Sequence, residues 1–310
     1  MSELHVIFGT GPLGKWTARA LVAMGKQVRM VNRSGKASGL PSGIEIVASD
    51  AYNVNKNLEV TRGASAIYQC AQPHYYEWLE KFPPLQKAIM EAAAANDARL
   101  IVGENLYMYG DTQGQHICED LPYLAHTRKG KLRANMAKAI LEAHRSGKVR
   151  AAIGRASNFF GPDDHAVTDY IIRPAVEGKT VNMMGSLDQL HTYTYVADFG
   201  KLLATLGTSE ESLGQVWFTP SPEPVTQAEI VRMLEEDVGH KVKVMVGGEV
   251  TMRLLGLFNP DIRESVEMMY EWTKPFIVDT NKAVEAFGVT ATPLKQAIHS
   301  TVEWCRSEII

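Results

Sequence analysis

The sequence predicts a doubly wound α/β fold, a parallel sheet with helices on both faces, followed by a smaller mixed lobe. Three observations predict it. Through about residue 155, short apolar runs alternate with stretches of helical length. The runs are continuously apolar instead of alternating in polarity, which suits strands covered on both faces. The first run also passes directly into a glycine-rich turn that opens a helix.

The predicted strands are 4–8, 28–31, 44–47, 66–69, 100–102 and 150–153, with helical stretches at 13–24, 85–95 and 128–145 between them. Joining parallel strands requires such crossovers. Within 128–145, Leu132, Met136, Ile140 and Ala143 recur at helical spacing and should face the core, with Lys131 and Asn135 near the border of that stripe. Gly147 follows as a natural stop. After about residue 160 the pattern loosens, with more proline and methionine. There Thr226-Gln227-Ala228-Glu229 is a capping box opening a helix toward Val238, with Gly239 at its end. Thr292-Pro293 opens a last helix reaching about Cys305. A segment near 195–206 is expected to pack back on the sheet.

Composition narrows the setting. The chain has 310 residues, 45% hydrophobic and 22% charged, as in an ordinary soluble globular protein. A formal net charge of -3 gives no reason to expect a nucleic-acid or anionic-membrane partner. The start lacks the basic and apolar segments of a secretory signal. No apolar stretch approaches the roughly 20 residues that cross a bilayer. Cys70, Cys118 and Cys305, odd in number and far apart, suggest reduced thiols and a cytoplasmic setting. The histidines form no HExxH or similar spacing, so no metal is expected.

Gly9-Thr10-Gly11-Pro12-Leu13-Gly14 lies between the first strand and its helix. Alone the pattern is weak; in this context it is strong. Gly9 permits the tight turn, Gly11 lets the backbone approach a pyrophosphate, and Gly14 lets helix and strand pack closely. Pro12 and Leu13 begin the helix, whose N-terminus favours anions. The second strand ends at Asn32-Arg33-Ser34, without the acidic residue that binds a ribose 2′-hydroxyl in NAD sites. Arg33, with Ser34 and Lys36, suits a 2′-phosphate instead. The expected cofactor is NADP, ahead of NAD. Cys70 and Ala71, after the fourth strand, should border it. Residues 1–160 read as the dinucleotide-binding domain, with 161–310 mainly a substrate-binding lobe.

Further motifs resemble the extended short-chain dehydrogenases/reductases, in particular the NAD-dependent epimerase/dehydratase family. Tyr109-Gly110 follows the fifth strand as in that family. Residues Arg155 to Pro162 look like its R-x-x-N-x-Y-G-P segment, and His191 to Asp198 resembles its Y-V-x-D segment. With the glycine loop these matches span nearly the whole chain. The resemblance implies a Rossmann fold, an Asp50 contact with adenine, and Asn158 and Tyr193 facing the substrate cleft. His74, in the loop after the fourth strand, is a further candidate for that pocket.

The family's catalytic set is a serine or threonine, a tyrosine, and a lysine four residues later. Here Lys131 matches the lysine, Thr127 stands at the tyrosine position and Asn105 at the hydroxyl position. A threonine hydroxyl is far too weak an acid to replace a phenol. Asn105 can still polarise a substrate oxygen. Tyr107 is the candidate substitute acid, with Tyr123 and His126 as weaker ones. Glu104 reads as an ion-pair partner ahead of a base.

These residues imply an NADP(H)-dependent oxidoreductase of the epimerase/dehydratase type, transferring hydride at a carbonyl or alcohol carbon of a small organic substrate. The alternative is a non-catalytic NADP(H)-binding sensor or regulatory protein that has lost the catalytic tyrosine. Related folds often form homodimers through helices such as 85–95 and 128–145.

Overall fold

The computed structural model describes residues 3–309. The chain begins with β1 (Leu4–Phe8), α1 (Pro12–Ala23), β2 (Gln27–Asn32), β3 (Glu45–Ala48), α2 (Val54–Val60) and β4 (Ala64–Gln69). It continues through α3 (Trp78–Ala95), β5 (Arg99–Glu104), α4 (Arg128–Arg145) and β6 (Arg150–Arg155). Next come β7 (Phe159–Phe160), α5 (Arg173–Val176), β8 (Val181–Met184), β9 (Leu190–His191), β10 (Thr194–Tyr195), α6 (Val196–Thr208) and β11 (Val216–Phe218). The remainder is β12 (Val225–Thr226), α7 (Gln227–Val238), β13 (Val244–Gly247), α8 (Glu249–Leu255), α9 (Pro260–Ser265), α10 (Tyr270–Thr273), α11 (Asn281–Phe287) and α12 (Leu294–Ile309).

Seven parallel strands form the central sheet in the order β11-β6-β5-β4-β1-β2-β3. This is the doubly wound Rossmann order with one more strand at its edge. Phe8 pairs with Val31 and Gln69, and Glu104 with Arg155, so the loops after these strands open along one edge. One face buries Val6, Phe8, Ile67, Leu100 and Val102 against α3 and α4. The other buries Ile7, Met30, Tyr68 and Ile101 against α1 and α6. At Gly200 of α6 an added Cβ would stand 2.5 Å from the backbone of Trp16 in α1, so the two helices meet without a side chain between them. A third cluster, including Phe160, Ile172, Met183, Leu234, Trp272 and Val302, forms the core of the second lobe. None of the described helices is long and apolar enough to cross a membrane.

Three features depart from the sequence reading. The strand β11 is only three residues long, too short for a periodic signal, yet it completes the sheet beside β6. Helix α3 starts at Trp78, ahead of the expected 85, and runs through Pro83 and Pro84. The carbonyls those prolines leave unpaired belong to Leu79 and Glu80, which are exposed and open to water. In α4 the buried face includes Lys129 and Arg133 as well as Met136, Ile140 and Ala143, while Leu132 is only half-buried.

Candidate active site

The three glycines of the first turn differ in what the fold demands of them. Gly9 has φ +110°, and a Cβ there would lie 2.7 Å from the Ala71 nitrogen. Gly14 packs so closely that its Cβ would stand 2.1 Å from the Gly9 oxygen. Gly11 differs: φ is -75° and ψ -174°, and an added Cβ would meet nothing within 4 Å. Folding alone does not require glycine at 11. Pro12 and Leu13 open α1, and Leu13 is buried against the sheet.

Asn32 organises the neighbouring turn. Its side chain donates to Thr10 Oγ1 (2.8 Å) and the Lys36 carbonyl (2.7 Å), and accepts from Gly35 N–H (2.7 Å) and the Ser34 hydroxyl (3.2 Å). The Arg33 side chain projects from this turn exposed, and among the described residues it forms no ion pair. Asp50 is exposed and its carboxylate accepts from Tyr52 N–H (3.2 Å). The Cys70–Ala71 backbone lies against Gly9. The Cys70 thiol faces Thr17 (3.9 Å), and burial pushes it up to about 12, so it is no nucleophile.

At the end of β5, Asn105 accepts from Tyr107 N–H (3.3 Å) and has no other hydrogen bond among the described residues. The Tyr75 hydroxyl donates to Tyr107 (3.4 Å). Burial, with the Glu271 carboxyl nearby, pushes the Tyr107 phenol above its ordinary value. It therefore keeps its proton at neutral pH, where the family's tyrosine needs a lysine to ionise it. Thr127 caps α4, accepting from Gly130 N–H (3.0 Å). Lys131, one turn on, is exposed and unpaired among the described residues. The buried ammonium of this helix is that of Lys129, which pairs with Glu264 and Glu267 and lies 4.5 Å from the Tyr75 ring centre. The structure thus joins Tyr107 to Tyr75, and joins neither Lys131 nor Thr127 to it.

Glu104 is buried between two guanidiniums, with Arg155 Nε at 3.0 Å and Arg133 Nη2 at 3.3 Å. Arg155 also donates to the phenols of Tyr109 (2.6 Å) and Tyr123 (2.7 Å). Those bonds commit Tyr123 to the ion cluster, and His126 sits exposed with its ring edge-on to Tyr270.

The second lobe supplies the opposite wall. Asn158 lies 3.0 Å from His191 Nε2, whose Nδ1 faces the Glu271 carbonyl at 3.1 Å. His191 stacks on Trp272 (4.4 Å) and packs beside Tyr193 (4.8 Å). Burial pushes the Glu271 carboxyl up to about 8 and His191 down to about 3. His74, by contrast, is exposed and stacked on Tyr76 (5.6 Å), and no hydrogen bond or ring contact among the described residues links it to Asn158 or Tyr193. The sequence reading passed over Glu271, His191, Lys129 and Arg133. Two signals were present: the four-residue spacing of Lys129 and Arg133, and a lone carboxylate inside Met268-Met269-Tyr270-Glu271-Trp272.

Comparison with known proteins places this geometry. A UDP-glucose 4-epimerase of Thermus thermophilus, solved with NAD, superposes with a TM-score of 0.80 at 16% identity, covering 98% of this chain and 99% of that one. A double mutant of the dTDP-glucose 4,6-dehydratase DesIV of Streptomyces venezuelae, with NAD and DAU bound, gives a TM-score of 0.78 at 16% identity, covering 98% and 97%. These likenesses show the fold. In sequence, a 3beta-hydroxysteroid-dehydrogenase/decarboxylase isoform 2 of Arabidopsis thaliana is 23% identical over 302 residues, 86% of this chain and 53% of that protein. The chain thus spans about half the length of that relative. Residues 6–216 match the NAD dependent epimerase/dehydratase family. The match covers more than half of the chain, in agreement with the motifs read from the sequence, and the chain belongs to that family.

Proposed function

We propose that the chain is an NADP(H)-dependent oxidoreductase of the epimerase/dehydratase type, acting at a carbonyl or alcohol carbon of a small organic substrate. Nucleotide sugars and hydroxysteroids are the classes named for similar proteins. The observation that carries the reading is Gly11, a glycine with ordinary backbone angles and open space at the N-terminus of α1. That space fits the approach of a dinucleotide's phosphates to helix N–H groups. The dinucleotide supplies a reversible donor or acceptor of hydride.

Gly9, Gly11, Pro12, Leu13 and Gly14 would hold the pyrophosphate, with the Cys70–Ala71 backbone alongside. Asp50 would meet the adenine side. Asn32 would set the turn that presents Arg33 and Ser34 to a 2′-phosphate. Lys131 would hold the nicotinamide ribose, Asn105 would polarise the substrate oxygen, and Asn158 and Tyr193 would hold the substrate. Residues 1–160 then serve the dinucleotide and 161–310 mainly the substrate, with α6 as the part of the latter segment lying on the sheet.

Arg33 makes the cofactor choice testable. NADPH should bind more tightly than NADH by about 1.5–3 kcal/mol, the worth of hydrogen bonds to a charged group. Arg33→Ala should erase most of that preference in a calorimetric titration and leave NADH nearly unaffected. Equal affinity of the native chain for both would remove the NADP assignment. Lys131→Ala should weaken either dinucleotide by about tenfold. Unchanged affinity would pass the ribose to another cation, Lys129 first.

One observation favours a second reading, a sensor without turnover: the Thr127 hydroxyl is consumed by capping, and among the described residues no phenol hydrogen-bonds Lys131. Incubating NADPH with a panel of carbonyl compounds separates the two readings. Bound but unconsumed NADPH across the panel would favour the sensor.

A further inference from the structure

Glu271 begins as an anomaly of burial. The residue is 2% exposed, the Asn158 amide stands beside it, and its Oε1 has no hydrogen-bond partner among the described residues. The phenols of Tyr75, Tyr107 and Tyr270 stand close enough to feel its charge, and the Tyr270 and Tyr193 hydroxyls are themselves buried without partners. A carboxylate accepts only, and leaving it this poorly bonded inside the protein is costly.

The hydrogen-bond chain around it resolves the cost. His191 Nδ1 faces the Glu271 carbonyl, which can only accept, so Nδ1 carries the hydrogen. The imidazole is buried against the Trp272 ring, where burial disfavours its charged form; neutral, it must accept at Nε2. The Asn158 atom 3.0 Å away is then the amide nitrogen, the amide having turned over so that its O and N exchange places. That leaves the Asn158 oxygen facing Glu271, where the one donor available is the carboxyl's own proton.

Resting on the oxidoreductase reading above, we propose that Glu271 is the catalytic acid and base of this site, passing its carboxyl proton to a substrate oxygen near the end of β5. It takes the part of the phenol that position 127 lacks. Asn158 and His191 are the positioning pair that keeps the acid protonated between turnovers. In the reducing direction, the substrate carbonyl carbon takes a hydride from the reduced nicotinamide dinucleotide and the carbonyl oxygen takes the Glu271 proton. An alcohol, the oxidised dinucleotide and a Glu271 carboxylate result. A proton from solvent restores the acid, and the oxidising direction reverses each transfer. An acid holding its proton up to about pH 8 is well matched to work near neutrality. The charged groups facing this region are Lys129, Arg133, Glu264 and Glu267, all but Arg133 joined in one ion cluster.

The test is a carbon-13 NMR titration of glutamate carboxyls in the free chain and with NADP⁺ or NADPH bound. One carboxyl should titrate near pH 8 and vanish in Glu271→Gln. The oxidised ring carries one more positive charge than the reduced ring. A carboxyl facing it should therefore hold its proton less tightly with NADP⁺ than with NADPH, by on the order of tenfold. Where Glu271→Gln fails to fold, Asn158→Leu should move the midpoint downward, because the amide oxygen that accepts the carboxyl's proton is gone. The thermal midpoint gives an independent reading. The native chain holds this proton between the ordinary value of 4.5 and about 8 while the unfolded chain releases it, so stability falls as pH rises through that window. Glu271→Gln should flatten the decline. Both dinucleotides binding with an unmoved carboxyl, or no glutamate titrating above about pH 6, overturns this proposal alone. Failure of both to bind overturns the dinucleotide reading and this proposal with it.

Discussion

Gly11→Val should fold as the native chain does and lose nicotinamide-dinucleotide binding by more than about 100-fold, about 2.7 kcal/mol. The backbone angles at 11 suit any residue, and an added Cβ meets no neighbour within 4 Å in the free protein. Valine is a poorer first cap than glycine, so a stability loss of up to about 1 kcal/mol is expected. The branched side chain would nevertheless fill the space through which an anion reaches the first turn of α1. Gly14→Val is the contrasting control, because its Cβ would collide with the Gly9 oxygen and the fold itself should fail. Thermal melts paired with dinucleotide titration separate the two effects. Native-like binding by a folded Gly11→Val would place the phosphates elsewhere.

Glu104→Ala should destabilise the chain by about 3–5 kcal/mol, the usual result of deleting one partner from a buried ion pair. The cluster holds one carboxylate against two buried guanidiniums, and Arg133 Nε already lacks a partner. Removing Glu104 would leave two like charges facing each other away from water. Adding Arg133→Met to Glu104→Ala should recover part of the loss, since the excess charge goes with it. Urea unfolding measures both. A loss under about 1 kcal/mol for Glu104→Ala would mean that water or a rearranged tyrosine replaces the carboxylate.

The long, strongly patterned parts of the fold could be read directly. Helix α4 spans Arg128–Arg145 as expected, and the Thr226–Glu229 capping box forms with Gly239 as a left-handed end. The glycine turn was readable because Gly9 and Gly14 meet steric demands of the fold and Gly11 leaves open space between them, all in one short stretch. Reading failed where tertiary partners decide. Periodicity treats lysine and arginine as solvent-facing, but Lys129 and Arg133 turn inward because Glu264, Glu267 and Glu104 await them. No local pattern announces those acids, which come from another lobe and from the end of a strand. Likewise, Tyr107 was promising by its position, and the environment that opposes its ionisation exists only once Glu271 and Tyr75 are folded against it.

The return of α6 and β11 to the sheet has a consequence for how the protein is made. Residues 1–155 contain six of the seven strands, yet α6 covers much of the face over β4, β5 and β6, and β11 pairs with the edge of β6. A chain emerging from the ribosome therefore carries a bare apolar face and an unpaired strand edge until residue 218 is free of the exit tunnel. Nascent domains in that condition are exposed to aggregation and depend on chaperones. Cutting the gene after β6 should give an insoluble fragment, whereas a fragment that runs on through β11 should stay in solution longer.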